Sequence, residues 1–176
     1  MQMSFPAFLA AGLAILAIAE PAAAEPGDTA TQSGTTAAEV IEPGALVKLD
    51  DLRFAAFASP SARATMTITA YGVVSATGEV ATTMNAFSSP GGRGPARFRV
   101  QGTDNRAFIP FIPRRVTISN GTSTMEVDRM TDNVLGLGLL DRDGRYTYQI
   151  GGRLTVEANQ EPGNYTGEFQ LTVLFL

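Results

Sequence analysis

The chain offers few of the side chains that carry out nucleophilic, acid–base or metal chemistry. It has no His and no Cys among its 176 residues, which excludes a Ser-His-Asp triad, a thiol nucleophile and an imidazole or thiolate metal site. A Ser-Lys dyad would depend on Lys48, the single lysine. The sequence does not decide whether two carboxylates form a catalytic pair, as they do in glycosidases, because the spacing of the 17 acidic residues does not reveal one. We therefore predict a protein that is not an enzyme, with no catalytic residue, cofactor or metal.

Three local patterns resemble ligand-binding loops, but each lacks a defining residue. The run GLGLLD from Gly136 lacks the last glycine and the following helix of a dinucleotide loop. The run DRDG from Asp141 is followed by Arg145 and Gly152 where an EF-hand needs an oxygen ligand and a Glu. The run SSPGGRGPAR lacks the Gly-Lys-Ser/Thr ending of a phosphate loop. We interpret GLGLLD as a strand that contains glycines, DRDG as a hairpin turn, and SSPGGRGPAR as a connection between strands.

The charge of the chain is that of an ordinary acidic surface. Its 13 basic and 17 acidic side chains give a formal net charge of −4 at pH 7. The arginines are dispersed along the sequence instead of forming a basic patch. Since phosphate backbones require a concentrated positive surface, we predict no nucleic-acid partner.

The first 24 residues are typical of a secretory signal peptide. An apolar stretch from Phe8 to Ala19 precedes Ala22, Ala23 and Ala24, which suit cleavage before Glu25, although no Lys or Arg precedes the stretch. Twelve apolar residues are fewer than the roughly 20 that a helix needs to span a bilayer. We expect an exported protein with no membrane span after cleavage, located in the periplasm, at the cell surface or outside the cell.

The composition and residue pattern of the remaining chain change near residue 45. Residues 25–44 are rich in Thr, Ala, Gly and Pro and poor in large apolar side chains, which predicts a flexible N-terminal arm. Residues 45–176 consist of short runs of β type separated by Gly, Pro and Asn, without helical periodicity. We predict a single all-β domain, an antiparallel, Ig-like β-sandwich of about seven to nine short strands.

Several strands can be placed by their turns. Asn120-Gly121 and Asp143-Gly144 each predict a hairpin. The run GRLTVEA from Gly152 is predicted as a strand of its own, and YTGEFQLTVLFL supplies the last one. That last strand is apolar on both faces, so we expect it to be docked, either inside a sheet or against a partner. Its alternating residues are Phe169, Leu171, Val173 and Phe175 on one face, with Leu174 and Leu176 on the other.

The chain resembles a family of exported bacterial proteins, the domain of unknown function DUF4402. The likeness covers roughly residues 46 to 176 and is most specific in the last section, Gly-Gly-x-Leu-x-Val followed by Gln-x-x-Gly-x-Tyr-x-Gly-x-Phe. The matching residues are Gly94, Ala96, Phe98, Val100, Met125, Val127, Gly151, Gly152, Leu154, Val156, Gln160, Gly163, Tyr165, Gly167 and Phe169. The resemblance implies a pilin-like sandwich, similar to spore coat protein U and other secreted pilin domains.

A pilin-like domain implies a structural subunit of a surface or extracellular assembly that associates by strand addition, with an assembly chaperone as a further partner. The candidate partner strand contains Val40, Val47 and Leu49, and Pro43 and Gly44 interrupt it. The alternative is that residues 46–54 form the first strand of the domain itself while the arm is disordered. Two other function classes stay open: a monomeric secreted binding module or adhesin, and a small outer-membrane β-barrel.

Overall fold

The computed structural model describes residues 44–87, 89 and 91–176. The predicted signal peptide, the arm before residue 44 and Val40 lie outside the described residues. The strands are β1 (Ala45–Asp50), β2 (Ala64–Ile68), β3 (Val74–Ala76), β4 (Ala96–Gln101), β5 (Ala107–Phe111), β6 (Val116–Ser119), β7 (Thr124–Asp132), β8 (Gly138–Leu139), β9 (Arg145–Val156) and β10 (Thr172–Phe175).

The described strands form two antiparallel sheets of unequal size. The larger sheet has seven strands in the order β1-β4-β9-β2-β3, with the β6-β7 hairpin added to β9. The smaller sheet has the order β10-β5-β8. The predicted all-β, antiparallel, sandwich-like fold is confirmed, with ten strands in the described residues instead of seven to nine.

The larger sheet is organised by β9, which runs for 12 residues. Its first half pairs with β4, and its second half pairs with β2. The hairpin strand β7 pairs with residues from both halves. Ile150 is the partner of both Ala96 and Asp132, so β4 and β7 lie on opposite edges of β9. It follows that β4 and β2 share one edge, end to end.

The predicted strand break before GRLTVEA is wrong, because Gly151 and Gly152 lie inside β9. A Cβ on Gly151 would overlap the carbonyl oxygen of Ile68 and the main chain of Thr69 and Ala70. The glycine therefore permits a close approach between β9 and the end of β2, and it does not mark a turn.

The two predicted hairpins have different outcomes. The hairpin around Asn120-Gly121 is confirmed, with Ile118 opposite Met125. Its loop is closed by the Asn120 side chain, whose Oδ1 accepts a hydrogen bond of 2.7 Å from the Ser123 N–H. The turn at Asp143-Gly144 also forms, but the strands on either side lie in different sheets, since β8 pairs with β5. This turn therefore carries the chain from one layer to the other.

A short helix, α1 (Gly78–Thr83), was not predicted. Its only buried side chain is Val80, so the six residues are too few to show helical periodicity. The Glu79 carboxylate accepts hydrogen bonds from the N–H and the hydroxyl of Ser61, which ties the helix to the loop before β2. No helix in the described part of the chain is long and apolar enough to cross a membrane.

The core consists of two apolar clusters that lie along β9. The first cluster includes Leu154 and Val156 from the second half of β9, and the second includes Tyr148 and Ile150 from its first half. Leu52 and Met130 are packed against both. The other buried members of the first cluster are Ala64, Met66, Val80, Met125 and Val127. The other buried members of the second are Ala96, Val100, Phe108, Val134 and Leu140.

The second cluster contains one polar group, the hydroxyl of Tyr148. The Tyr148 side chain is fully buried, and its hydroxyl donates a hydrogen bond of 2.5 Å to Oδ2 of Asp132. Burial, followed by this bond to the carboxylate, raises the pKa of Tyr148 well above its usual range. The hydroxyl therefore stays protonated and fastens the end of β7 to β9.

We expect Gly151→Ala to lower the free energy of unfolding by about 1–3 kcal/mol, because main-chain atoms of β2 must move to admit the new methyl group. The matched control is Gly94→Ala, where the Cβ would meet only the end of the Arg53 side chain, 3.3 Å away. Urea denaturation of the two variants measures the difference. Equal losses would show that β2 and β9 do not approach as described.

Candidate interaction site

The predicted partner-strand residues Val47 and Leu49 lie in β1. This strand pairs antiparallel with β4, with Val47 opposite Arg99. The described residues place no strand on its other edge. Val47 and Leu49 are 43% and 40% exposed. The alternative, that this stretch forms the first strand of the domain itself, matches the structure over Ala45–Asp50, and whether β1 also meets a second chain stays a prediction.

The final apolar strand is docked, but it is not inside a sheet. Strand β10 pairs with β5 and has no other neighbour among the described strands. The Leu176 N–H donates to the Ala107 carbonyl at 2.9 Å, and the Arg106 guanidinium donates to the Leu176 carbonyl at 3.2 Å. The same guanidinium lies 5.2 Å from the centroid of the Phe175 ring. β10 is therefore an edge strand that is held firmly along one side.

Both faces of β10 are apolar, and only one face is covered. Val173 and Phe175 pack against the second cluster, whereas Leu174 and Leu176 are 50% and 60% exposed. A strand that is apolar on both faces is typical of a sheet covered on both sides. β10 has this composition without the second cover among the described residues.

The exposed side of β10 continues across the whole smaller sheet. We call this surface the apolar face. It consists of Ile109 and Phe111 from β5, Leu137 and Leu139 from the β8 region, and Leu174 and Leu176. Leu174 lies opposite Ile109, and Leu139 lies opposite Ala107, so the side chains form adjoining rows.

The outer face of the larger sheet has the opposite character. Its β2 and β4 strands present Thr65, Thr67, Arg97 and Arg99 outward. The two outer surfaces of the sandwich thus differ in polarity. Contiguous exposed apolar surfaces are typical of sites of contact with another chain segment or molecule.

A groove lies over the first cluster, between residues 51–59 and residues 160–169. Its volume is about 870 Å³. The smaller sheet contributes side chains only to the second cluster, so irregular segments flank the first one without a strand between them. Apolar side chains form the floor of the groove, namely Val116, Ile118, Met125, Val127 and Leu154.

Two carboxylates of the larger sheet form ion pairs with arginines on neighbouring strands. Arg153 donates two hydrogen bonds to Asp128, of 2.8 and 2.5 Å, which lower the pKa of that carboxyl group. Arg97 likewise lowers the pKa of Asp50. Both carboxylates are therefore held in the charged form and link neighbouring strands. Within the described residues, no cluster of three or more acidic residues could hold a metal ion.

Sequence reasoning found the apolar alternation of β10 but missed the groove and the free edge. The groove corresponds to two stretches without strand pattern, one before β2 and one after β9. The run EPGNYTGE, with its Pro and Gly, was the available signal. Which strand lies at an edge depends on long-range pairing, and local alternation does not encode that.

Comparison with known proteins gives one match. The model of the family described as domain of unknown function DUF4402 matches residues 45–175, which confirms the family resemblance. The pilin likeness is not part of that match and stays a prediction. No curated protein and no solved structure matches the chain.

We expect Phe175→Ala to lower the free energy of unfolding by about 2–4 kcal/mol, because the ring packs against Phe108 and the second cluster. The adjacent change Leu174→Ala should cost less than about 1 kcal/mol, since that side chain is half exposed. Chemical denaturation of both variants tests the orientation of β10. Similar losses at the two positions would contradict it.

Proposed function

The chain belongs to the DUF4402 family, and from the free apolar edge of its smaller sheet we propose that it is a non-enzymatic, exported structural subunit. In this proposal, copies of the protein join by strand addition, as in pilin-like assemblies. An extended segment of one copy completes a sheet of the next.

The observation that carries the proposal is β10. Proteins that stay monomeric protect their edge strands with charged residues, proline or bulges. The run Thr172–Phe175 contains no charge and no proline, and its pairing with β5 is regular over all four residues. Its free edge is thus suited to accept a further strand, through main-chain hydrogen bonds and alternating side-chain contacts.

Two features of the sequence support the rest of the proposal. The predicted signal peptide at residues 1–24 supports export. The absence of His and Cys from the sequence removes the side chains of most nucleophilic and metal-dependent active sites, which supports a structural role.

The groove favours a second candidate, a secreted binding module. Its volume of about 870 Å³ and its apolar floor fall within the usual range for ligand sites. In that case, the isolated domain would be complete without the arm, and a ligand would raise its melting temperature. Self-association would not depend on residues 25–44.

The decisive measurement is light scattering of residues 25–176 beside residues 45–176 over a wide range of concentration. We expect the longer protein to grow in mass with concentration and the shorter one to stay monomeric, because the arm supplies the added strand. Circular dichroism of both proteins provides the control, since the shorter one retains every described strand.

Two results would contradict this proposal. If both proteins stay monomeric at all concentrations, the binding module becomes the better account. If both grow equally, the arm is not the added segment.

A further inference from the structure

We infer that the outer face of the larger sheet carries a binding site for an acidic polysaccharide, centred on Arg99. We call this surface the arginine face. It consists of six polar side chains that point outward from two neighbouring strands, namely Arg97, Arg99 and Gln101 from β4 and Arg145, Thr147 and Gln149 from β9. The site goes beyond the proposed function, because strand addition at β10 does not use this face.

Strand pairing brings these side chains together, although the arginines are dispersed along the sequence. Arg97 and Arg99 are exposed on β4, in alternation with inward-facing residues. Arg99 lies opposite Thr147, and Gln101 lies opposite Arg145. Paired residues of neighbouring strands share one face of a sheet. The pairing of β4 with β9 therefore places three arginines on one surface.

Arg99 lies at the centre of the three arginines. Arg97 is two residues away on the same strand, a separation of about 7 Å. Arg145 is its diagonal neighbour on β9, at about 7–8 Å. Long side chains cover such distances. Two guanidinium groups can therefore bind one carboxylate together, or bind two successive carboxylates of a polymer.

The three guanidinium groups are accompanied by a single carboxylate that is paired with them. Arg97 donates a hydrogen bond of 2.6 Å from Nε to Oδ2 of Asp50. Within the described residues, Arg99 and Arg145 form no ion pair. Asp141, in the turn before β9, accepts the main-chain N–H of Arg145 at 2.8 Å. The arginine face thus has an excess of positive charge on a chain whose formal net charge is −4, which favours an anionic ligand.

The uncharged side chains of the arginine face are suited to hydroxyl groups. The amides of Gln101 and Gln149 and the hydroxyl of Thr147 can each donate and accept hydrogen bonds. Guanidinium groups bind carboxylates through two parallel hydrogen bonds. A polymer of sugar acids presents both carboxylates and hydroxyl groups along an extended chain. Its chemistry therefore matches both kinds of side chain on this face.

Two other kinds of ligand fit this surface less well. Small molecules bind in concave sites, and none of the six side chains lines the groove over the first cluster. Single-stranded nucleic acids stack their bases on aromatic rings. The aromatic residues of β9, Tyr146 and Tyr148, pack into the second cluster and leave the arginine face without a ring. An extended, hydroxyl-bearing polymer fits best.

Calorimetric titration of residues 25–176 with polygalacturonate, a polymer of a sugar acid, tests the site. We expect binding at low ionic strength that weakens at about 0.15 M salt, because the arginines are exposed and their charges are screened. Dextran is the matched polymer without carboxylates, and we expect it not to bind.

Arg99→Gln should weaken the binding of polygalacturonate by about fivefold or more, because it removes the central guanidinium group. The matched control is Arg114→Gln, which removes the same charge from an exposed arginine in the loop before β6. The control should bind as tightly as the parent protein. Both positions are exposed, so thermal unfolding of the two variants should coincide with that of the parent.

Four results would overturn the inference. The first is no binding of polygalacturonate at low ionic strength, and the second is equally tight binding of dextran. The third is an equal loss for Arg99→Gln and Arg114→Gln, which would mean that net charge alone attracts the polymer. The fourth is tighter binding of polyphosphate with the same dependence on Arg99, which would assign the site to phosphate groups.

The titration and the light-scattering experiment have independent outcomes. Binding of polygalacturonate through Arg99 supports the site even if residues 25–176 stay monomeric. Growth in mass that needs the arm supports the assembly even if the polymer does not bind.

Discussion

The pairing of β9 with three other strands is the interaction on which the rest of the domain depends. β9 has β7 along one edge and β4 and β2 in succession along the other. This arrangement requires the ends of β2 and β4 to meet beside Gly151. Both apolar clusters take buried side chains from β9. A change that displaces this strand would therefore disturb the two halves of the core together.

The unequal sizes of the two sheets explain where the interaction surfaces lie. Three strands cannot cover seven, so the smaller sheet covers the second cluster and irregular segments border the first. The groove lies where the smaller sheet has no strand to cover the first cluster. The smaller sheet also has two free edges among the described strands, and β10, with four residues, is the longer of the two edge strands. The incomplete layer thus accounts for both the groove and the edge.

The local alternation of apolar and polar residues, with the turn signals, was sufficient to predict the fold class and the β6–β7 hairpin. It failed at Gly151 and Gly152, because a glycine pair in a strand resembles a turn until the neighbouring chain is known. It also missed α1, which has a single buried residue. The apolar character of β10 was readable from Val173 to Leu176, whereas its position at an edge was not. Pairing between distant segments determines edges, and one sequence does not contain that information in local form.

The order of the strands along the chain has a consequence for folding kinetics. Ala64 pairs with Val156, and Ala96 pairs with Ile150. The strands β2 and β4 therefore both pair with β9, a strand that comes late in the sequence. Such non-local pairing gives a high contact order and slow folding, on the scale of milliseconds to seconds. A chain that emerges N-terminus first therefore cannot complete its larger sheet until residue 156 has followed. The topology itself thus delays completion of the larger sheet until late in synthesis.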